Sequence, residues 1–412
     1  MRAYIIRRLF LIIPTLFIAS LIIFFMLRLI PGDIIDQMVG EHGAVTGMDR
    51  EAVEHAMGLD VPIHMQYVRW LGVVPYVDDA QVLIEDDTEV GRQQLVVTRL
   101  PEKVKKDALM EEIDELVSDN TITGISDLRD ESDFTGMRIV IELEREAQPE
   151  QVRDSLYKQT HMRKSEFKGL LQGKLGTTLW KRIPVTQELF ARWPVTFELG
   201  LLAIIIGLTL AIPIGVFSAI RQDSAGDYIG RSFAILCLAI PAFWLGTMIM
   251  IFPAKWWGWS PPIMFIKFVD DPLANLGQFI IPALIMGLGM SGTTMRMTRS
   301  MMLEVLRQDY IRTAWSKGLK ERLVVTRHAL KNALIPVITI IGFMMPVLIG
   351  GSVIMEQIFA LPGVGRLMVD AINQRDYPIV SGVMLFTATW VLLINLAVDV
   401  TYSFLDPRVQ YR

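Results

Sequence analysis

The sequence predicts an all-α polytopic membrane protein with six transmembrane helices, carrying a small soluble α+β domain between the first and the second. Three observations predict it. Apolar residues make up 52% of the 412 residues and charged residues only 20%, with a mean hydropathy of +0.39; a soluble globular chain has about 25% charged residues. Six stretches approach the ~20 apolar residues that cross a ~30 Å hydrocarbon core. The charges are also segregated: residues 32–194 hold 31 acidic and 19 basic side chains, while the rest of the chain is net basic. A fibrous or disordered chain is excluded by this composition, and a disulfide-built domain by the single cysteine, Cys237.

The apolar stretches fall at residues 9–30, 197–220, 228–253, 279–295, 333–355 and 380–403. They are continuous, without the in-out alternation of barrel strands, so helices are selected. The first exceeds a signal peptide's apolar region, and Arg28-Leu-Ile-Pro31 is not a small-residue cleavage site, so it stays as an anchor. Pro14, Pro213, Pro241, Pro282 and Pro346 lie inside the stretches as kinks that neighbouring helices can accommodate. Arg2, Arg7 and Arg8 precede the first stretch, Arg221 and Arg231 flank the second connection, and Arg408 and Arg412 follow the last. The fourth connection carries nine basic residues between Arg296 and Lys331. By the positive-inside rule both termini are cytoplasmic and the acidic segment lies outside.

The fourth connection, residues 296–332, is rich in helix formers, has no proline, and repeats apolar residues at Met301, Val305, Leu319 and Leu323. It reads as a basic helical hairpin with Gly318 near its tip, suited to an acidic partner or anionic lipid.

The segment from Asp309-Tyr310-Ile-Arg312-Thr313-Ala314-Trp-Ser-Lys317-Gly318-Leu319 through His328-Ala-Leu-Lys-Asn-Ala-Leu-Ile-Pro336 resembles the cytoplasmic coupling loop of binding-protein-dependent ABC import permeases. Within them it is similar to the first permease subunit of the dipeptide/oligopeptide/nickel branch. Leu29-Ile-Pro31-Gly32-Asp33, Gly58-Leu-Asp-Val-Pro62, Lys174-Leu-Gly176, Pro194-Val-Thr-Phe-Glu198, Gly350-Gly-Ser-Val-Ile-Met-Glu356, Leu361-Pro-Gly-Val-Gly365, Arg375-Asp-Tyr-Pro378 and Leu405-Asp-Pro-Arg408 carry the same likeness, over residues 1–73 and 168–412. Arg312-Thr313-Ala314 stands where the family signature has Glu-Ala-Ala. The resemblance implies a second homologous permease subunit, two cytoplasmic ABC ATPase subunits, an extracytoplasmic substrate-binding protein and a lipid bilayer as partners. ATP would be hydrolysed by the partner subunits, since this chain has no Gly-x-x-x-x-Gly-Lys-Ser/Thr loop. It implies peptides, nickel chelates or oligosaccharides as substrates, and coupling through Tyr310, Arg312, Thr313, Ala314, Lys317, Gly318 and Leu319.

Residues 74–167 interrupt this pattern. Residues 94–98 and 138–143 read as strands, and residues 101–117 and 148–159 as helices, the first with Val104, Ala108, Ile113 and Leu116 on one face. Gly91-Arg-Gln-Gln-Leu-Val-Val-Thr98, Gly124-Ile-Ser-Asp-Leu-Arg-Asp-Glu-Ser-Asp133 and Gly136-Met-Arg-Ile-Val-Ile-Glu-Leu143 resemble part of the DNA gyrase A-subunit tower region. The acidic surroundings oppose nucleic-acid binding, because phosphates need a basic surface. Asp127, Asp130, Glu131 and Asp133 do not fit a calcium-loop spacing and read as a solvated turn.

Arg28, Glu356 and Asp399 are ionisable residues expected at membrane depth. Arg28 and Glu356 fall near the same ends of their helices and could pair at a gate, snorkel or pack, while Asp399 could hold helices together. The five histidines show no paired spacing, so neither a metal site nor intrinsic catalysis is expected. The rival reading is a membrane-anchored sensor or scaffold with an acidic external receptor domain; six crossings and no output domain speak against it.

Overall fold

The computed structural model describes residues 2–29, 61–87, 92–101, 104–133, 136–145, 147–166, 169–258, 260–262 and 264–405. Residues 30–33, 58–60, 91 and 406–408 of the motifs above lie outside the described residues. The chain divides into two compact units, one of residues 1–31 and 175–412, the other of residues 32–174.

In chain order the principal helices are α1 (Arg2–Arg28), α2 (Ile63–Leu71), α3 (Lys106–Ser118), α4 (Pro149–Gln159), α5 (Val185–Ile220), α6 (Ala225–Ala239), α7 (Ala242–Trp257), α8 (Pro272–Leu306), α9 (Asp309–Ser316), α10 (Leu330–Ile358), α11 (Val364–Asn373) and α12 (Tyr377–Leu405). The first unit is built from α1 and α5 to α12, and the second holds α2 to α4. Among the described residues four helices, α1, α5, α8 and α12, are long and apolar enough to cross a membrane, and α6 with α7 adds a fifth candidate if the pair is one span. Helix α10 has 29 residues over the fifth apolar stretch. The helices outrun the apolar stretches because nothing at their polar ends forbids helix. Asp271 caps α8 by accepting from the amides of Leu273 and Ala274 at 3.1 Å, with Pro272 in the first position. From there α8 runs unbroken to Leu306, taking in the first part of the basic connection.

The third apolar stretch is not one straight helix. It bends by 87° between α6 and α7. Ile240 (φ −87°, ψ 118°) and Pro241 (φ −64°, ψ 130°) are extended. A proline disfavours helical backbone at the residue before it, and here Ile240 is extended, so Pro241 stands between two helices instead of kinking a single one.

Helices α5 and α8 make the most extensive contact in the unit. Gly287 lies so close to α5 that a Cβ there would meet the Ala203 carbonyl at 2.8 Å, and one on Gly215 would meet the Met295 carbonyl at 2.9 Å. Small residues let two backbones approach where lipid supplies no hydrophobic force between helices. Around this seam pack Val195, Leu199, Ala203, Phe279, Ala283, Ile285 and Met355. At its far end Arg299 of α8 holds Asp227 of α6 through two bonds, Nε to Oδ1 at 2.8 Å and Nη2 to Oδ2 at 2.7 Å. The Asp227 side chain is wholly buried.

To α2, α3 and α4 the second unit adds the strands β1 (Tyr76–Asp79), β2 (Gln81–Asp87), β3 (Arg92–Arg99), β4 (Ile125–Asp130), β5 (Ile139–Leu143) and β6 (Arg163–Glu166). An antiparallel sheet has the order β2-β3-β5-β4. Its core joins Leu95, Val97, Ile139, Ile141 and Leu143 to Leu109 and Ile113 of α3 and Val152 and Leu156 of α4. Charged residues mask strands β2 and β4 in the sequence, and the buried face of α3 centres on Leu109 and Ile113, with Ala108 exposed. Asp127 and Asp130 lie on β4 and not in a turn, and Lys106 Nζ lies 2.5 Å from Asp130 Oδ2 while Ser132 donates to Oδ1. Lys106, then Ser132, hold the pKa of Asp130 down at about 2.

Strands β1 and β6 pair antiparallel with Tyr76 opposite Glu166, so the chain enters and leaves the sheet domain side by side. Partners across such a pair have Cα atoms about 5 Å apart. Excising residues 76–166 and closing the gap with a short Gly-Ser link is therefore expected to leave the helical unit assembled in the membrane; its loss from the membrane fraction would contradict the modular reading. Replacing Arg299 by Leu strands a buried carboxylate and is expected to cost about 3–5 kcal/mol, read as a lower unfolding midpoint in detergent, whereas an unchanged midpoint would show that the pair contributes nothing.

Candidate functional site

The hairpin after α8 is built around the eight-residue helix α9. Ile311 and Ala314 are its buried side, packed with Met302, Val324, Val325 and Ala329. Those two residues, three apart, leave the other side outward, where Tyr310, Arg312, Thr313, Trp315, Ser316 and Lys317 are exposed. Tyr310 and Trp315 are 43% and 44% exposed. Asn332 donates to the Tyr310 hydroxyl at 2.7 Å and so ties the start of α9 to α10.

Helix α9 ends at Gly318. Its φ of +74° is left-handed, its amide donates to the Trp315 carbonyl at 2.9 Å, and no atom lies within 4 Å of where a Cβ would be. Glycine is needed there for the backbone, not for space. After the turn, Leu319 is half-buried against the hairpin core, and a π-helical stretch, Val324–Ala329, leads into α10. The apolar spacing of the sequence includes Leu323, which is 40% exposed, and misses Met302, Ile311 and Ala314.

The three ionisable candidates part company. Glu356 is fully buried. Thr196 of α5 and Ser352 of α10 donate their hydroxyls to Oε1 at 2.7 and 3.0 Å, and the Arg366 amide donates to Oε2 at 2.8 Å. The Thr196 hydroxyl also accepts from the Val364 amide at 2.8 Å. Glu356 thus caps the first turn of α11 from another helix and binds α5, α10 and α11 together, a favourable place for an anion. Those donors, not the Arg28 side chain, meet its carboxylate. Arg28 lies over the Phe24 ring, 3.6 Å from its centroid. Asp399 forms an ion pair with Arg8 at 3.1 Å, which joins α12 to α1.

Sequence reasoning does not single out Thr196, Ser352 or Asp376. Asp376, 1% exposed, follows α11 and accepts from the amides of Leu179 at 3.0 Å and Ile379 at 3.3 Å. Burial pushes its pKa up, against these amides. Only its place one residue before α12 marks it as a cap. Among the described residues no group of three or more His, Cys, Asp or Glu side chains could hold a metal ion.

The sequence profile described as "Binding-protein-dependent transport system inner membrane component" matches residues 211–411, and "Binding-prot-dependent transport system membrane comp, N-term" matches residues 1–83. The profile of the DNA gyrase/topoisomerase IV A chain matches residues 66–170, so the likeness of the insert has a counterpart in a family profile. A putative peptide transport system permease protein of Brucella abortus (strain 2308) is 46% identical over 237 residues, 58% of this chain and 76% of the relative. The dipeptide transport system permease protein DppB of Escherichia coli (strain K12) is 38% identical over 267 residues, 59% of this chain and 79% of DppB. The oligopeptide transport system permease protein AppB of Bacillus subtilis (strain 168) is 42% identical over 247 residues, 59% of this chain and 78% of AppB. Relatives of this identity, matched over three-quarters of their length, fix the family: the chain belongs to the binding-protein-dependent transport system inner membrane components.

Proposed function

We propose that this chain is one permease subunit of an ATP-driven peptide importer, with six membrane crossings, both termini in the cytoplasm and residues 74–167 on the far side. The crossings are α1, α5, the bent pair α6–α7, α8, α10 and α12. Support comes from the relatives, whose names assign them to peptide, dipeptide and oligopeptide transport, and from the basic connections, which agree with one orientation. A second permease subunit completes the pathway, an external binding protein delivers substrate, and two ATPase subunits supply the energy.

The observation that carries the coupling is the outward side of α9. A short helix displaying Tyr310, Arg312, Trp315 and Lys317, seated on a buried base and joined to two long helices, is shaped to enter a groove on another protein. Residues Arg312, Thr313, Ala314, Lys317, Gly318 and Leu319 form this lever. ATP does work through it only if it binds one arrangement of the assembly more tightly than the other, since equal affinity shifts nothing. The insert is read as an acidic module without a nucleic-acid role.

Replacing Gly318 by Glu forces a side chain into left-handed backbone at about 1–2 kcal/mol and puts a negative charge beside the lever. Substrate-stimulated ATP hydrolysis by the assembled complex is expected to fall to the unstimulated rate while basal hydrolysis persists. Stimulation equal to the wild type would show that α9 is not the lever.

A further inference from the structure

Position 312 departs from the family signature in the sign of its charge: arginine stands where Glu-Ala-Ala opens with glutamate. The residue is also central to what α9 offers a partner. At about 3.6 residues per turn, the positions opposite the buried Ile311 and Ala314 are Asp309, Arg312, Thr313 and Ser316. Tyr310 and Lys317 run along one flank and Trp315 along the other.

The Arg312 side chain is 79% exposed, and Asp309, 94% exposed, is its neighbour at 3.5 Å in the same helix. A pair so open to water is screened and holds little. The other exposed charges of the hairpin are mostly of one sign: Arg307, Lys317, Lys320 and Arg322 are basic, and Glu321 faces Arg221 at 3.9 Å. The face that α9 turns outward is therefore set in basic charge. A groove that covers Tyr310 and Trp315 also takes Arg312 out of water. A guanidinium removed from water needs acceptors in its place, and its planar fork matches the two oxygens of a carboxylate. Asp309 meets that fork through one nitrogen only, Nη2, which leaves donors for the partner.

Anionic lipid is the other source of negative charge, and distance counts against it. Helix α8 continues eleven residues past Met295, the last of its apolar stretch, which at about 1.5 Å per residue carries the start of α9 about 16 Å along the axis. That is roughly twice the length over which physiological salt screens a charge, so a protein surface is the better match.

We propose that the ATPase groove receiving α9 presents an aspartate or glutamate to Arg312, and that the sign of the charge at position 312 selects which ATPase this permease couples to. The inference rests on the reading of α9 as the coupling lever and adds the chemistry of its partner. Glutamate at position 312, the signature residue itself, would meet like charge in this groove and be refused.

The test uses the assembled transporter in nanodiscs that contain phosphatidylserine. Arg312→Lys keeps the charge and supplies an amine, which a carbodiimide joins to a touching carboxylate as an amide while the reagent leaves as a urea. Mass spectrometry is expected to find this amide on an aspartate or glutamate of the ATPase subunit. Arg312→Glu is expected to weaken the affinity of permease for ATPase at least about tenfold, the loss that follows when one side of a buried charge pair is removed. Exchanging the crosslinked acid of the ATPase for lysine is expected to restore it. No amide to the ATPase, an amide to phosphatidylserine alone, or undiminished affinity in Arg312→Glu overturns the proposal. A benzophenone side chain in place of Trp315 separates this failure from that of the lever. Labelling of the ATPase from position 315 without an amide from position 312 removes only the acidic partner, whereas no labelling from position 315 removes the lever as well.

Discussion

The helical unit depends on the close approach of α5 and α8. In lipid, apolar side chains gain nothing by leaving one apolar solvent for another, so helices must be held by tight contact and by polar groups with no alternative partner. Both are present along this seam. Gly215 and Gly287 bring the backbones within reach of each other's carbonyls, and polar ties lie near both ends. Thr196 of α5 is locked to Glu356, and Arg299 of α8 to Asp227. A bulky residue in the seam would part the helices and misplace everything attached to them.

What is attached explains how such a chain can transmit force. Helix α8 runs unbroken from the Asp271 cap to Leu306, and only Arg307 and Gln308 separate it from α9, so in the proposed coupling a push on α9 would reach the seam along α8. On the side where α5 begins, Glu356 holds the N-terminus of α11, while Asp376 joins the end of α11 to α12 and to Leu179. Two buried carboxylates thus hold the short helix α11 at both ends. The sheet domain interrupts the chain where β1 and β6 pair, which is why an insertion of this length is compatible with a permease pattern on either side.

Much of this is legible in the sequence, because a membrane leaves few choices. Apolar runs of the right length must be helices, and the motif around Gly318 specifies a helix with a left-handed stop. What is hidden has physical causes. Helix ends are displaced because helices continue into water wherever capping allows, as α8 does for eleven residues beyond the apolar stretch. Pro241 reads as a kink and is a break, since its effect on Ile240 is decided by packing. The sequence allows Glu356 to pair with Arg28, but side-chain pairing across helices depends on rotation about their axes, which periodicity in an all-apolar helix does not encode. Thr196 and Ser352 lie inside motifs of the family likeness, but, uncharged and embedded in apolar runs, they give no sign of their bond to Glu356 until its donors are seen. The charged strands β2 and β4 border the sheet, where one side of the strand needs no apolar pattern.

Coupling requires the aromatic and basic side of α9 to face the cytosol while the acidic domain faces the other compartment. With Cys237 replaced by serine, single cysteines at Lys317 and Glu131 can be challenged in intact cells with a membrane-impermeant maleimide. Labelling is expected at position 131 in intact cells and at position 317 only after permeabilisation. Labelling of position 317 in intact cells would contradict this arrangement, because no cytoplasmic ATPase could then reach the lever.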